Sequence, residues 1–429
     1  MKNYLLGCSA AMLMSACAHQ KQNEPLPPSP IQIAGVDQDI PFPADGKITL
    51  SDAVLRSLKR NRDLAVQELE PAITATDELR EQAAFGSEIF GSAEYGEEVS
   101  SETSRSTEEV FSVEAESRAS EVGVSKNFIS GTEVALILSE SDDSSNRAPS
   151  QQELRAGVEL TQSLLRGRGS KVNRIAIQQA ALGTRISIEE LRAYTQALIA
   201  ETEIAYWQLQ LAGEAVEITR QALEVAEQQL SEIRQRIEIG QLAPDEELAA
   251  QAERSSRQRN LIDAKANFTE RQLNLKRLMS LTGEASEELV LTTPLEWAAE
   301  PITEITPLLE QAHRLNPQLR EARARFHQGE LEVVRTRNGL LPDLEFFTRL
   351  DKTGFGEDLS SARQDFSGDN YEWNIGIELQ QDLGDSEARA DQVQALLERE
   401  QAERSVANLE ELIQNQLKQA VVEHNRTLE

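Results

Sequence analysis

The chain has 429 residues, enough for two average domains or one large elongated one. Acidic residues outnumber basic ones 73 to 43, a net charge of −30, which excludes a nucleic-acid binder working by phosphate neutralisation. Aromatics make up 4% and mean hydropathy is −0.46, a mixture suited to long helices with shallow seams rather than a thick core.

Catalytic chemistry is thinly supplied. The four histidines (His19, His313, His327, His424) are far apart, and the only cysteines are Cys8 and Cys17. No His-Glu-x-x-His, Cys-x-x-Cys or Gly-x-Ser-x-Gly occurs, so no enzyme, metal or cofactor is expected. Gly167-Arg168-Gly169-Ser170-Lys171 lacks the spacing of a phosphate loop.

At the N-terminus, Lys2 precedes an apolar stretch from Tyr4 to Met14, which has the order of a secretory signal. Met14-Ser15-Ala16-Cys17 then resembles a bacterial lipoprotein cleavage box, which implies an acylated Cys17 as the first mature residue. Ala18, where an inner-membrane retention signal would have Asp, favours the outer membrane. Six of the 14 prolines fall between residues 18 and 45, which reads as an extended tether. The expected organisation is therefore a signal at 1–17, a tether at 18–45, and two structural repeats at 46–290 and 291–429.

The repeats share three features in the same order. Asn61-Arg62-Asp63-Leu64 sits in a helical pattern opened by a Thr49-x-x-Asp52 capping box, and Asn316-Pro317-Gln318-Leu319 in one beginning near Thr306. Each pattern runs into alternating stretches, at Ser87–Phe90 and Pro342–Glu345. Gly157-Val158-Glu159-Leu160-Thr161-Gln162 then matches Gly376-Ile377-Glu378-Leu379-Gln380-Gln381 at four of six positions. Strands are predicted over 85–98, 108–127, 131–141 and 153–164, then over 343–352 and 371–383. Polar loops separate them, such as Ser139–Ser150 and Gly354–Asn370. Residues 108–141 read either as an added hairpin or as a lengthened strand pair.

From Gly169 to Ile239 there is no proline, and 71 residues as one helix would extend roughly 105 Å. Leu209, Val216, Leu223, Leu230 and Ile237 recur every seven residues, with Ala212, Thr219, Ala226 and Ile233 as a companion row. That is a coiled-coil seam. A second row, Ile204, Leu211, Ile218 and Val225, lies about 200° away, so a neighbour is expected on each side. The helix stops at Gly240-Gln241-Leu242-Ala243-Pro244-Asp245, and a second runs from about Asp245 to Leu281 with Leu261, Phe268 and Leu275 seven apart. The fold class expected is mainly α with β: a very long antiparallel hairpin plus barrel strands.

Four segments together resemble the outer membrane efflux protein family, the TolC-like channels. They are Thr161–Gly167, Ala205-Tyr206-Trp207-Gln208-Leu209, Arg236–Asp245 and Leu341-Pro342-Asp343-Leu344. The resemblance covers about residues 48–429. It implies a homotrimer whose strands close a transmembrane β-barrel and whose hairpins form an α-helical barrel across the periplasm. It further implies a passive duct for small molecules (drugs, toxic compounds or metal ions), a periplasmic adaptor that docks at Gly240–Asp245, and an inner-membrane pump. Export of proteins by a type I secretion system is the alternative within the class; a coiled-coil scaffold without a pore is the alternative outside it. The family often has Pro where Ser163 and Asp382 stand, which weakens the turn expected there. Copy one runs 126 residues from Gly157 to Gly283, so copy two, starting at Gly376, is expected to end about 73 residues past Glu429. On that reading the second hairpin lacks its tip, its return helix and an aperture constriction. Its entering helix, roughly Asp385–Glu429, would leave Leu396, Leu397, Leu409, Leu412 and Ile413 partly exposed.

Overall fold

The structure is a computed structural model that describes residues 46–103, 108–281, 289–294, 300–384 and 386–428. The signal, Cys17 and the tether therefore lie outside the described residues. In chain order come β1 (Lys47–Ile48), α1 (Leu50–Arg60), α2 (Arg62–Gln67), α3 (Glu70–Ala83), β2 (Ser87–Thr103), β3 (Val110–Phe128), β4 (Thr132–Ser145) and β5 (Gln151–Ser163). Next are α4 (Ser170–Asn173), α5 (Ile175–Glu238), α6 (Asp245–Leu278), β6 (Val290–Leu291), α7 (Thr306–Leu315) and α8 (Pro317–Gly339). The chain continues with β7 (Asp343–Gly356), α9 (Leu359–Asp365), β8 (Tyr371–Gln380) and α10 (Ser386–Thr427).

Two compact units result. The described residues within Met1–Ala72 and Tyr194–Trp297 form one, and those within Ile73–Ala193 and Ala298–Glu429 form the other. Among the described residues no helix is long and apolar enough to cross a membrane.

In the first unit β1 pairs in parallel with β6. Thr49 closes the expected capping box with Asp52 and starts α1. The core gathers Ile48, Ala53, Leu64, Tyr206, Leu209, Leu275, Leu278 and Met279, all at most 4% exposed. Tyr206 carries its hydroxyl into this core without orphaning it: the oxygen bonds Ile48 O at 3.1 Å and Thr293 Oγ1 at 2.9 Å, and accepts from Thr293 N at 3.1 Å. Asn61 ends α1, caps α2 through Leu64 N, and donates to Leu278 O at 3.0 Å.

In the second unit Asn316 repeats that device. Its backbone (φ −62°, ψ 119°) nearly superposes on that of Asn61 (φ −61°, ψ 122°), and its side chain caps α8 through Leu319 N. The shared Asn-x-x-Leu spacing thus makes the same helix-to-helix break in both halves. The unit's sheet has six antiparallel strands in the order β2-β3-β4-β5-β7-β8. α10 packs along α8, burying Ala395 and Ile413.

The fold class is the expected one, with local differences. Residues 108–141 form a full additional strand pair, β3 and β4, bonded from Ala115–Ser145 to Phe128–Thr132. The long helix does not start at Gly169: α4 ends at Asn173 and the backbone turns at Arg174 before α5 begins. The expected Ser139–Ser150 loop holds the end of β4, its Ser and Asp run paired against β5, and the Gly354–Asn370 loop holds the end of β7 and α9, which Asp358 caps through Ser361 N. Ile413, expected to be partly exposed, is buried at 6%, whereas Leu396, Leu397 and Leu412 are exposed.

Candidate channel wall and hairpin tip

Strand alternation gives the sheet two chemically different faces. One row runs straight across all six strands as Ile89, Val124, Leu136, Val158, Leu350 and Trp373, each directly opposite the next. All six are exposed, from 41% at Val124 to 66% at Ile89. The same face carries Val122, Leu138, Leu160, Phe346, Ile377 and Leu379 on neighbouring rows. β8 alone presents Tyr371, Trp373, Ile375, Ile377 and Leu379 to the outside. An exposed apolar band over a whole sheet is unfavourable in water and suits a hydrocarbon neighbour.

The opposite face is polar and acidic, with Glu88, Glu94, Glu121, Glu133, Glu159, Glu345 and Glu378 against Arg155 and Arg349. Arg155 bridges Glu153 and Glu372, each at 2.9 Å, and Arg349 bonds Asp351 at 2.8 Å. Asp351 is 2% exposed and leans over Gly157 on the next strand. A Cβ at Gly157 would fall 2.0 Å from Asp351 Oδ1, so that glycine makes the carboxylate's room. Phe90 and Phe347 lie over Gly123 and Gly376 in the same way. No sequence pattern short of the strand register identifies these pairs.

Two of the segments noted in the sequence meet at the sheet's helical edge. Leu164 N bonds Leu344 O at 2.7 Å, and Arg166 N bonds Pro342 O at 3.3 Å. Arg166 also pairs with Asp343 at 2.6 Å. The Thr161–Gly167 and Leu341–Leu344 segments are thus stitched together where strands become helices. Gly167 N bonds Asn338 Oδ1 at 2.9 Å, and Gly169 N bonds Ser130 O at 3.0 Å. Those amides are occupied within the fold, not held out for a phosphate.

The helical hairpin buries one of its two seams. Leu209, Ala212, Ala226 and Leu230 are at most 7% exposed, and Val216, Leu223 and Ile233 are half-buried. The α6 row follows, with Leu275 buried and Leu261 and Phe268 half-buried. Arg277–Glu201 at 3.0 Å, Arg254–Glu227 at 3.0 Å and Arg234–Glu247 at 2.8 Å mark one antiparallel register down to the turn. The second row has no such cover: Ile204, Leu211, Ile218 and Val225 are 52–70% exposed, and on α6 Leu248, Ile262 and Leu273 are 60–69% exposed. An amphipathic helix buries one stripe; a second apolar stripe left in solvent expects another chain.

At the tip, Gly240 adopts φ +81°. Its N–H bonds Ile237 O at 2.9 Å and that of Gln241 bonds Arg236 O at 2.8 Å, the two bonds of a Schellman cap. Pro244 then caps α6 by backbone shape alone. Gly240, Gln241, Ala243, Pro244 and Asp245 are exposed and Leu242 is half-buried. Exposed Ile239 and Leu248 flank the turn at 66% and 69%. Arg234, then Gln251, hydrogen-bond Glu247 and hold its carboxyl below the usual range. Among the described residues no group of three or more His, Cys, Asp or Glu is placed to hold a metal ion.

The outer membrane efflux protein family model matches residues 131–281. No protein with a curated description matches. Among solved structures, the CmeC outer membrane channel of Campylobacter jejuni is 18% identical, with 84% of this chain and 67% of that one covered and a TM-score of 0.57. CusC, described with its conformational changes on transmembrane channel formation, is 15% identical over 93% of this chain and 80% of its own, with a TM-score of 0.58. The MtrE outer membrane channel of Neisseria gonorrhoeae, in its open state, is 15% identical over 87% and 72%, with a TM-score of 0.54. The resemblance carried by Thr161–Gly167, Ala205–Leu209 and Arg236–Asp245 is thereby borne out: this chain has the fold of the outer membrane efflux protein channels, and residues 131–281 carry that family's sequence pattern.

Proposed function

We propose that the chain is the outer membrane component of a tripartite efflux system: a trimeric, passive exit duct for small molecules. The observation that carries this is the pair of uncovered apolar surfaces. The sheet's band, from Ile89 to Trp373, would face lipid, and the Ile204–Val225 row would face a neighbouring copy. The acidic face of the sheet would then line water. A scaffold without a pore expects no paired strands, and the six-stranded sheet counts against it. Gly240–Asp245 would meet a periplasmic adaptor, and an inner-membrane pump would supply the energy. An acyl chain at Cys17 would add a lipid anchor to the outer membrane. The two-repeat organisation is part of the same reading, supported by the matching breaks at Asn61 and Asn316.

Deleting the gene and following the retention of a fluorescent pump substrate tests the function. Higher retention, restored by the wild-type gene, is expected. Unchanged retention of every dye, together with loss of a secreted protein, would move the chain to the secretion class.

A further inference from the structure

The sheet carries information about barrel size, because its two edges are specified. β2 and β8 are each bonded on one side only, so both present a row of unpaired backbone groups. Such edges do not persist in hydrocarbon, where every backbone N–H and C=O must find a partner. Six strands in an up-and-down order have a further consequence. The first and last run in opposite directions, so β8 of one copy can pair antiparallel with β2 of the next without breaking the alternation. The apolar row runs unbroken from Ile89 on one edge to Trp373 on the other. It would therefore continue around a closed ring.

We infer that three copies close an eighteen-stranded barrel, with the β2–β3 hairpin built into the wall of each; this rests on the trimeric channel reading above. The strand count is six from each of three copies. With strands about 4.8 Å apart and tilted about 40°, eighteen strands give a backbone radius of about 18 Å. Leaving β2 and β3 out of the wall would give twelve strands and a radius of about 12 Å. The hairpin's own chemistry places it in the wall. Ile89 and Tyr95 on β2 and Val122 and Val124 on β3 share the face of Leu136 and Val158, whereas Glu88, Glu94 and Glu121 share the acidic face. A hairpin folded over the wall would not repeat that alternation in register. The apolar band on β8 spans Tyr371–Leu379, about 30 Å along the strand and about 23 Å along the normal at that tilt, the height of an outer-membrane band. The connections agree. The β3–β4 turn on the side of the helices is the short Ile129–Gly131, whereas the β7–β8 connection on the far side is long enough to hold α9.

Cysteine pairs in the full chain, expressed in outer membranes, test the seam. Asn374→Cys on β8 is combined in turn with Ser92→Cys, Glu94→Cys or Glu98→Cys on β2, and in a parallel set with Ser139→Cys or Ser141→Cys on β4. Single-cysteine variants serve as controls, and the particle mass is measured in each case. A trimer with disulfide-linked dimers and trimers from at least one β2 pair, and none from the β4 pairs, is expected. A trimer linked through β4, or through neither strand, would overturn the eighteen-stranded wall while leaving the trimeric reading in place. A monomer by mass would overturn both.

Discussion

The two seams of α5 make opposite predictions for substitutions only a few residues apart. Leu211 and Ile218 are 70% and 64% exposed, so Leu211→Lys and Ile218→Lys should change the stability of a single copy by no more than about 0.5 kcal/mol. Leu209 is 1% exposed in the core beside Tyr206, and Leu209→Ala should cost about 2–5 kcal/mol. Assembly reverses the order. The outer row is 52–70% exposed, so completing its burial would contribute about 1–2 kcal/mol for each of Ile204, Leu211, Ile218 and Val225, or about 4–8 kcal/mol gross at each interface. Association entropy offsets part of that gain, so two buried ammonium groups suffice to abolish it. Circular dichroism melts report folding, and analytical ultracentrifugation in detergent reports mass. The Leu211→Lys/Ile218→Lys variant should stay folded as a monomer with the stability of a dissociated parent copy, losing only what assembly adds. If it remains a trimer with an unchanged dissociation midpoint, the second row is not an interface.

Tyr206→Phe removes the partner of the half-buried Thr293 N–H at the edge of the first unit's core and should destabilise that unit by about 1–3 kcal/mol, read from denaturant midpoints. Leu242→Asp at the half-buried tip should leave the melt within about 1 kcal/mol of the parent yet weaken adaptor cross-linking and drug resistance; unchanged cross-linking would remove the tip from the docking surface. Intact mass of the mature protein should show cleavage before Cys17 and added acyl chains, whereas an unmodified thiol there would rule out the lipid anchor. Hydrogen bonds from Arg220, then Gln221, pull Glu217 from 4.5 to about 2, and Arg234 lowers Glu247. Depressed carboxyl groups contribute stability above the unfolded carboxyl pKa and lose it as pH falls through the folded value. Helical melts should therefore drop between about pH 4.5 and 2, and less so in Glu217→Gln.

Much of the fold was legible because local chemistry dictates it. Thr49 and Asp52 close their box, the Arg236–Gln241 backbone makes its Schellman cap around Gly240, and the seven-residue rows fall on the faces their period requires. The readings left open or corrected depended on partners distant in sequence. The β3–β4 pair was ambiguous because Ser, Glu and Ala dominate its upper half, and only pairing from Ala115–Ser145 to Phe128–Thr132 separates a hairpin from a longer strand. The glycines under Phe90, Phe347 and Asp351 look like interruptions until the register sets each beside a large side chain. The turn at Arg174 breaks a stretch with no proline, and no local residue announces it. Of the site, the tip was legible from one glycine and one proline, whereas the two faces of the sheet emerged only with the ladder.

The lipid exposure of Trp373 tests the central claim most directly. In the trimer, with Trp207→Phe and Trp297→Phe leaving Trp373 as the sole indole, the protein is reconstituted into vesicles of brominated phospholipid. Strong quenching by the bromolipid with little quenching by aqueous acrylamide is the result expected of a sheet whose apolar face meets the bilayer. Acrylamide quenching with no response to bromolipid would contradict it.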